Sequence, residues 1–243
     1  MKVDILIRSY REDLKWLKYS LKSIHKFFSG YQTIHLVVPE QDFQLIEDVS
    51  GVEKHKVSEP CGGYLSQQYT KLCADQFCTA DFVLHVDSDV IFTRPATHLN
   101  LFSEGKPILV QGLNVQTPWR AIAAQSLGWE DEYEYMRTMP LMYPRSVYPE
   151  FRAWMEERHN MPLYEHICKH PQAAGDQGWS EFQALGQWCK RYHKEKFAWT
   201  NPEAFQSPCV HFWSWGGITD RVKTPPGSGH PGMMLEELEN LLT

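Results

Sequence analysis

The chain begins with an apolar run, Val3-Asp4-Ile5-Leu6-Ile7, closed by the polar group Arg8-Ser9-Tyr10. Leu14, Leu17, Leu21, Ile24 and Phe28 then recur three and four residues apart, the spacing that gathers side chains on one helix face, and Gly30 stops that helix. Thr33–Val38 predicts a second strand ended by Pro39, followed by a short helix around Gln41–Val49 and a weak strand at Lys54–Val57. Pro60-Cys61-Gly62-Gly63 is a turn, and Tyr64–Cys78 reads as helix, with Leu65, Tyr69, Leu72 and Phe77 roughly on one side. Asp81–Val86 is the strongest strand signal and runs directly into Asp87-Ser88-Asp89. Strands separated by helices predict a parallel, layered α/β sheet. Ligands of such open sheets bind beyond the carboxyl ends of the strands. Arg8-Ser9-Tyr10 and Asp87-Ser88-Asp89 both lie at such ends and can face one pocket.

The second half is less regular. Ile108–Val110 reads as a strand, Trp119–Leu127 as a short helix, and Phe151–His159 and Trp179–Tyr192 as longer helices, with a loop through His170–Asp176 between them. Tyr133–Pro149 carries four aromatics and three prolines, which argues for a shaped loop. Pro208–Trp213 is a late strand. Residues 224–232 form a Pro/Gly-rich linker before an amphipathic helix at Met233–Leu242, whose expected role is to dock on the core. There is no internal repeat.

Composition narrows the classes. With 42% hydrophobic and 22% charged residues in 243, the chain has the make-up of an ordinary globular protein rather than a disordered one. A net charge of −6 argues against a nucleic-acid binder built on a basic face. No apolar run reaches the ~18–20 residues that span a bilayer, and Met1-Lys2-Val3-Asp4 lacks the apolar core of a signal peptide, so a soluble, cytoplasmic protein is expected. The six cysteines show neither CxxC pairs nor zinc-like spacing, so reduced, packed thiols are expected. Nine tryptophans ask for a core, an interface or a sugar-stacking surface.

Asp87-Ser88-Asp89 is the sharpest chemical feature. Two carboxylates one residue apart, where an apolar strand ends, can converge on one divalent cation, and hard oxygen ligands suit Mg²⁺ or Mn²⁺. The plain alternative is a solvated turn. The apolar runs on both sides, Phe82–Val86 and Val90–Phe92, count against it, because a surface turn seldom sits so tightly between buried strands.

The stretch Phe82–Phe92 resembles the DxD motif of nucleotide-sugar glycosyltransferases of the GT-A fold. Ile5–Tyr10 resembles that fold's first strand and nucleotide-contacting loop. Gln67, Gln68 and Lys71 match a pattern of some bacterial and viral members, and Trp179–Gly186 is similar to a "SEYxxYG" stretch in them. The resemblance covers most of residues 1–215, with the DxD and its flanks its specific part. It implies an α/β, GT-A type fold, a Rossmann-like mixed sheet flanked by helices. Residues 1–223 would form the glycosyltransferase domain, with a nucleotide-sugar half at 1–110 and an acceptor half at 111–223, and 224–243 would be linker and C-terminal helix.

The resemblance also assigns roles. Asp89 would hold the metal and Asp87 the metal or the ribose, with His211 as a further ligand unless it is a packed histidine. Lys223 would reach the diphosphate, or else be an exposed lysine. Tyr10 would stack on the base, with Arg8 or Ser9 bonding its edge or the ribose. Lys71 and Gln67, one helical turn apart, look into the pocket or into water. An inverting transferase needs a base for the acceptor hydroxyl. Glu181 carries the resemblance, although a first-turn carboxylate also caps a helix, and Asp176 in its Gly-flanked loop is the second candidate. Trp213 and Trp215 alternate along the late strand and share a face, as an acceptor platform would require. The implied partners are a nucleoside-diphosphate sugar, with UDP the expected nucleotide, and a saccharide acceptor. Two alternatives stand beside this reading. One is a phosphatase of the haloacid-dehalogenase type, which expects Thr or Val where Ile91 stands and usually carries its Asp-x-Asp on the first strand. The other is a non-catalytic sugar-binding module, which explains the tryptophans but not the carboxylate pair.

Overall fold

A computed structural model describes residues 1–113, 117–136, 138–171, 178–225 and 230–243. Five strands form its main sheet: β1 (Val3–Arg8), β2 (Ile34–Pro39), β3 (Val52–Val57), β4 (Phe82–His85) and β5 (Leu141–Pro144). The helices are α1 (Leu14–Phe27), α2 (Gly63–Leu72), α3 (Pro118–Leu127), α4 (Val147–His159), α5 (Leu163–Cys168), α6 (Glu181–Tyr192) and α7 (Leu235–Leu242). The strand order is β5-β4-β1-β2-β3, with β1 to β4 parallel and β5 antiparallel. Every residue of β1 and β2 is buried. A parallel sheet covered on both faces demands this, which is why these strands read as apolar runs.

β5 departs from the expected loop. Leu141 to Pro144 pairs with His85 back to Phe82 and adds a fifth strand to the mixed sheet. The prolines that suggest a loop sit where strands and helices tolerate them: Pro144 at the end of an outer strand, Pro149 in the first turn of α4. Helix α4 therefore begins before Phe151. Helix α2 is shorter than expected, ending at Leu72 before a separate 3₁₀ turn at Ala74–Gln76. Another 3₁₀ turn, Glu40–Leu45, replaces the helix expected at 41–49.

The cysteine expectation is corrected in part. Cys61, in the turn before α2, forms a disulfide with Cys168 at the end of α5, while Cys73, Cys78, Cys189 and Cys209 are free and buried. The partners are 107 residues apart, on elements that only the tertiary fold brings together, so their spacing carries no signal. Among the described residues, no helix is long and apolar enough to cross a membrane.

The end of the chain is tied to the sheet's start. Cys209–His211 pairs antiparallel with Val90–Phe92, setting His211 opposite Val90, next to Asp89. Leu238 and Leu242 of α7 bury against Trp16 of α1 in a second core with Ile91, Phe212 and Val222. The Tyr19 hydroxyl donates to Glu239 at 2.8 Å. The terminal helix docks, as its amphipathic pattern predicts.

Candidate active site

A cleft of about 1220 Å³ opens where β1 and β4 end. The turn after β4 puts Asp87 and Asp89 into it, with the Val90 N–H closing the turn on the Asp87 carbonyl at 3.0 Å. Between them the Ser88 hydroxyl donates to the Ser9 hydroxyl at 2.8 Å, joining the two strand exits. Both serines are buried, so Ser9 braces the site rather than facing a ligand.

Asp89 is 8% exposed and well held. Its Oδ2 accepts the Ser214 N–H at 3.0 Å, its Oδ1 lies 3.4 Å from His211 Nε2, and its carbonyl accepts the Phe212 N–H at 2.8 Å. Burial would raise the Asp89 pKa, yet His211 and the hydrogen bonds from Ser214 hold it below the ordinary carboxylate value. Burial would likewise lower His211, and Asp89 outweighs it, so the imidazole is shifted toward its cation. The ligand atoms of Asp87, Asp89 and His211 lie within 4.8 Å of one another.

A further carboxylate lies beside Asp87 and Asp89 in the cleft. Asp13 immediately precedes α1, and its pKa is pushed up to about 7 by burial and then by the charges of Asp89 and Asp87. Sequence reasoning overlooks it because an Asp before a helix reads as a cap; here its side chain makes no cap bond. Asp13, Asp87 and Asp89 thus lie close enough to feel one another's charge, and a divalent cation among them would offset it.

Against Asp87, Lys71 of α2 is buried, 2.7 Å from Asp87 Oδ1 and 3.1 Å from Glu181 Oε1, with its ammonium 4.9 Å from the centroid of the Phe182 ring. Burial works against the ammonium, and the two carboxylates overcome it and raise its pKa. Burial raises Glu181 and Lys71 pulls it back, the net shift being upward. Ser180 caps α6, its hydroxyl accepting the Gln183 N–H at 3.2 Å. The Glu181 carboxylate is therefore free to turn to Lys71, while its N–H donates to Gln68 Oε1 at 3.1 Å.

Arg8, Tyr10 and Gln67 line the cleft as the sequence suggests. The Arg8 guanidinium is bound to Glu59 at 3.0 Å and reaches the Ser9 carbonyl, so much of its donor capacity is used within the wall. Lys223 is not brought to the site: its side chain is exposed, and its carbonyl accepts the Trp213 N–H at 2.8 Å. Asp176 lies outside the described residues. Trp213 and Trp215 both line the cleft, 38% and 59% exposed, although the strand ends at His211 and a 3₁₀ turn, Ser214–Gly216, follows.

Fold and cleft together define a mixed α/β protein with a carboxylate-rich pocket at its strand ends. The chain belongs to DUF6492, a family of unknown function whose model matches residues 3–201. No curated protein matches the sequence. His211, Trp213 and Trp215 lie beyond the span of the family match.

Proposed function

We propose that the protein is a metal-dependent glycosyltransferase of GT-A type, moving a sugar from a nucleoside-diphosphate donor, with UDP the expected nucleotide, to a saccharide acceptor. One observation carries the reading: Asp87, Asp89 and His211 converge at the carboxyl end of β4, beside the exit of β1, in a cleft large enough for a sugar nucleotide. Their oxygen-rich donor set fits Mn²⁺ or Mg²⁺, and Asp13, its pKa raised by burial and then by the charges of Asp89 and Asp87, stands beside them. A cation held there would offset the charge that develops on the leaving diphosphate.

The protein's own groups take the remaining roles. Tyr10 offers its ring to the base, and Gln67 on α2 supplies an amide to the donor. Lys71 holds Asp87 and Glu181 in fixed relation, so metal binding at Asp87 and proton acceptance at Glu181 are coupled through one ammonium. Glu181, with its pKa raised, is the base that would take the acceptor hydroxyl's proton, and Asp176 is the second choice. Trp213 and Trp215 present indole faces on which an acceptor sugar can stack. The haloacid-dehalogenase alternative gains nothing here, since the first strand exits through Arg8-Ser9-Tyr10. The Cys61–Cys168 disulfide pulls against the cytoplasmic location expected from the sequence, since such links persist in oxidising compartments.

The test is a screen of sugar nucleotides for Mn²⁺-dependent hydrolysis, which requires no knowledge of the acceptor, combined with thermal shift in UDP plus Mn²⁺. Hydrolysis of one donor and metal-dependent stabilisation are expected. No stabilisation by any nucleoside diphosphate with either metal would sink the proposal.

A further inference from the structure

A second cluster of metal-ligating side chains lies on the sheet itself, toward the amino-terminal ends of β1 and β2. In the β2–β3 register His35 faces Glu53 and Val37 faces His55, so His35, Glu53 and His55 share one face. Leu6 pairs with His35, which puts Asp4, two residues before Leu6 on β1, on that face too. None of the four lines the cleft.

His35 Nδ1 lies 3.0 Å from His55 Nε2 and 3.5 Å from Glu53 Oε2. Donor atoms around a tetrahedral zinc ion, at bond lengths of about 2.0–2.2 Å, are separated by roughly 3.3–3.6 Å. Of the two separations from His35, that to Glu53 falls within this spacing and that to His55 just below it, and the three ligand atoms all lie within 4.8 Å of one another. Behind them Asp4 is fixed by the N–H groups of Thr79 and Ala80 at 2.8 and 2.9 Å, and its Oδ2 is 3.4 Å from His35 Nε2. Among the described residues His35 Nε2 has no hydrogen-bond partner, and Asp4 is the carboxylate placed to accept its proton when Nδ1 takes a metal, the outer-shell role that orients metal-binding histidines. Cys78 lies near Asp4 and His35 and is not part of the His35–Glu53–His55 group.

The geometry points to a zinc-type site here: a divalent transition ion held by His35 Nδ1, His55 Nε2 and Glu53 Oε2, with Asp4 orienting His35. Two imidazoles select this class of metal over Mg²⁺. The Glu53 side chain is 63% exposed, so the fourth position opens to water. An ion there would clip β2 to β3, the edge strand of the sheet. This inference does not depend on the proposed transferase activity.

The test uses the full chain carrying Asp89→Asn and His211→Gln, which removes ligands from the cleft, stripped with a chelator and titrated with Zn²⁺ by calorimetry. One Zn²⁺ per chain is expected. Glu53→Gln, on the exposed side of the cluster, should weaken it at least ~10-fold, and Asp4→Asn by about 10–100-fold, the usual cost of losing an outer-shell partner. His55→Ala should abolish it. Co²⁺ in place of Zn²⁺ should give strong visible absorption bands that disappear in His55→Ala. The inference is overturned if the cleft variant binds no Zn²⁺, or if Glu53→Gln and His55→Ala, each folded by circular dichroism, bind it as tightly as their parent.

Discussion

The Lys71 ammonium lies 2.7 Å from the Asp87 carboxylate, with the lysine side chain only 4% exposed. It also meets buried Glu181, so one cation balances two carboxylates. Breaking a buried ion pair by removing one partner costs about 3–5 kcal/mol, because the remaining charge is left uncompensated. Lys71→Met should lower unfolding stability by that order in urea denaturation. Lys71→Met with Glu181→Gln should recover part of the loss, whereas an additive double variant would show that the two residues do not interact.

Asp89→Asn tests the cation reading of the cleft. If a cation offsets several kcal/mol of developing charge, donor hydrolysis should fall by about a hundredfold or more, at 1.36 kcal/mol per decade. His211→Gln should fall less, since it leaves both carboxylates. Unchanged Mn²⁺ dependence in Asp89→Asn would remove this residue from the site.

The tryptophan platform predicts a separation of effects. Trp213→Ala and Trp215→Ala should raise the acceptor KM by up to about tenfold, the value of an aromatic contact of ~1.5 kcal/mol. Donor hydrolysis without acceptor should stay within twofold or so of the parent. Equal losses in both assays would place the two indoles on the donor instead.

Acid sensitivity should run through His166. Burial, then His159 and His170, lower its pKa to about 4, so the folded chain keeps it neutral, while the unfolded chain protonates it near 6.5. The unfolded state therefore binds more protons between pH 6.5 and about 4, and stability falls as pH drops through that window. His166→Gln, which can still bond the Ser126 hydroxyl met by His166 Nε2 at 3.2 Å, should lose less Tm on going from about pH 7 to 5, by roughly 2 °C. Parallel Tm profiles for the two proteins would exclude this origin.

Thiol titration checks the disulfide. Unfolded without reductant, the chain should expose four reactive thiols, corresponding to Cys73, Cys78, Cys189 and Cys209. Reduction of the Cys61–Cys168 link should then lower the urea midpoint, since closing a loop of 107 residues constrains the unfolded chain by up to ~4–5 kcal/mol. Six thiols would restore the reduced state expected from the sequence.

What could be read from the chain follows from how local each signal is. β1, β2 and β4 stand out because strands covered on both faces are apolar throughout, and Asp87-Ser88-Asp89 because it interrupts such a run. β5 is hidden, since its prolines mark its ends in space but look like a loop in sequence. Lys71, Asp87 and Glu181 can each be named from the chain, but their shared network exists only once α2, β4 and α6 converge. Asp13 is concealed by its helix-cap position, and Cys61 and Cys168 by distance. His35 looks like a core histidine until the register sets it beside His55.

The two sides of the cleft are built to different standards of stiffness. β4 lies between β1 and β5, hydrogen-bonded on both sides, so the turn that carries Asp87 and Asp89 cannot shift without disturbing two ladders. His211 is tied to that turn through its pairing with Val90 and its contact with Asp89, whereas the Trp213 and Trp215 side chains beyond it are exposed. The molecule thus resembles a vice with one jaw bolted to the bench. A bulky ligand can be admitted by turning the exposed Trp213 and Trp215 side chains, while the carboxylates keep their aim.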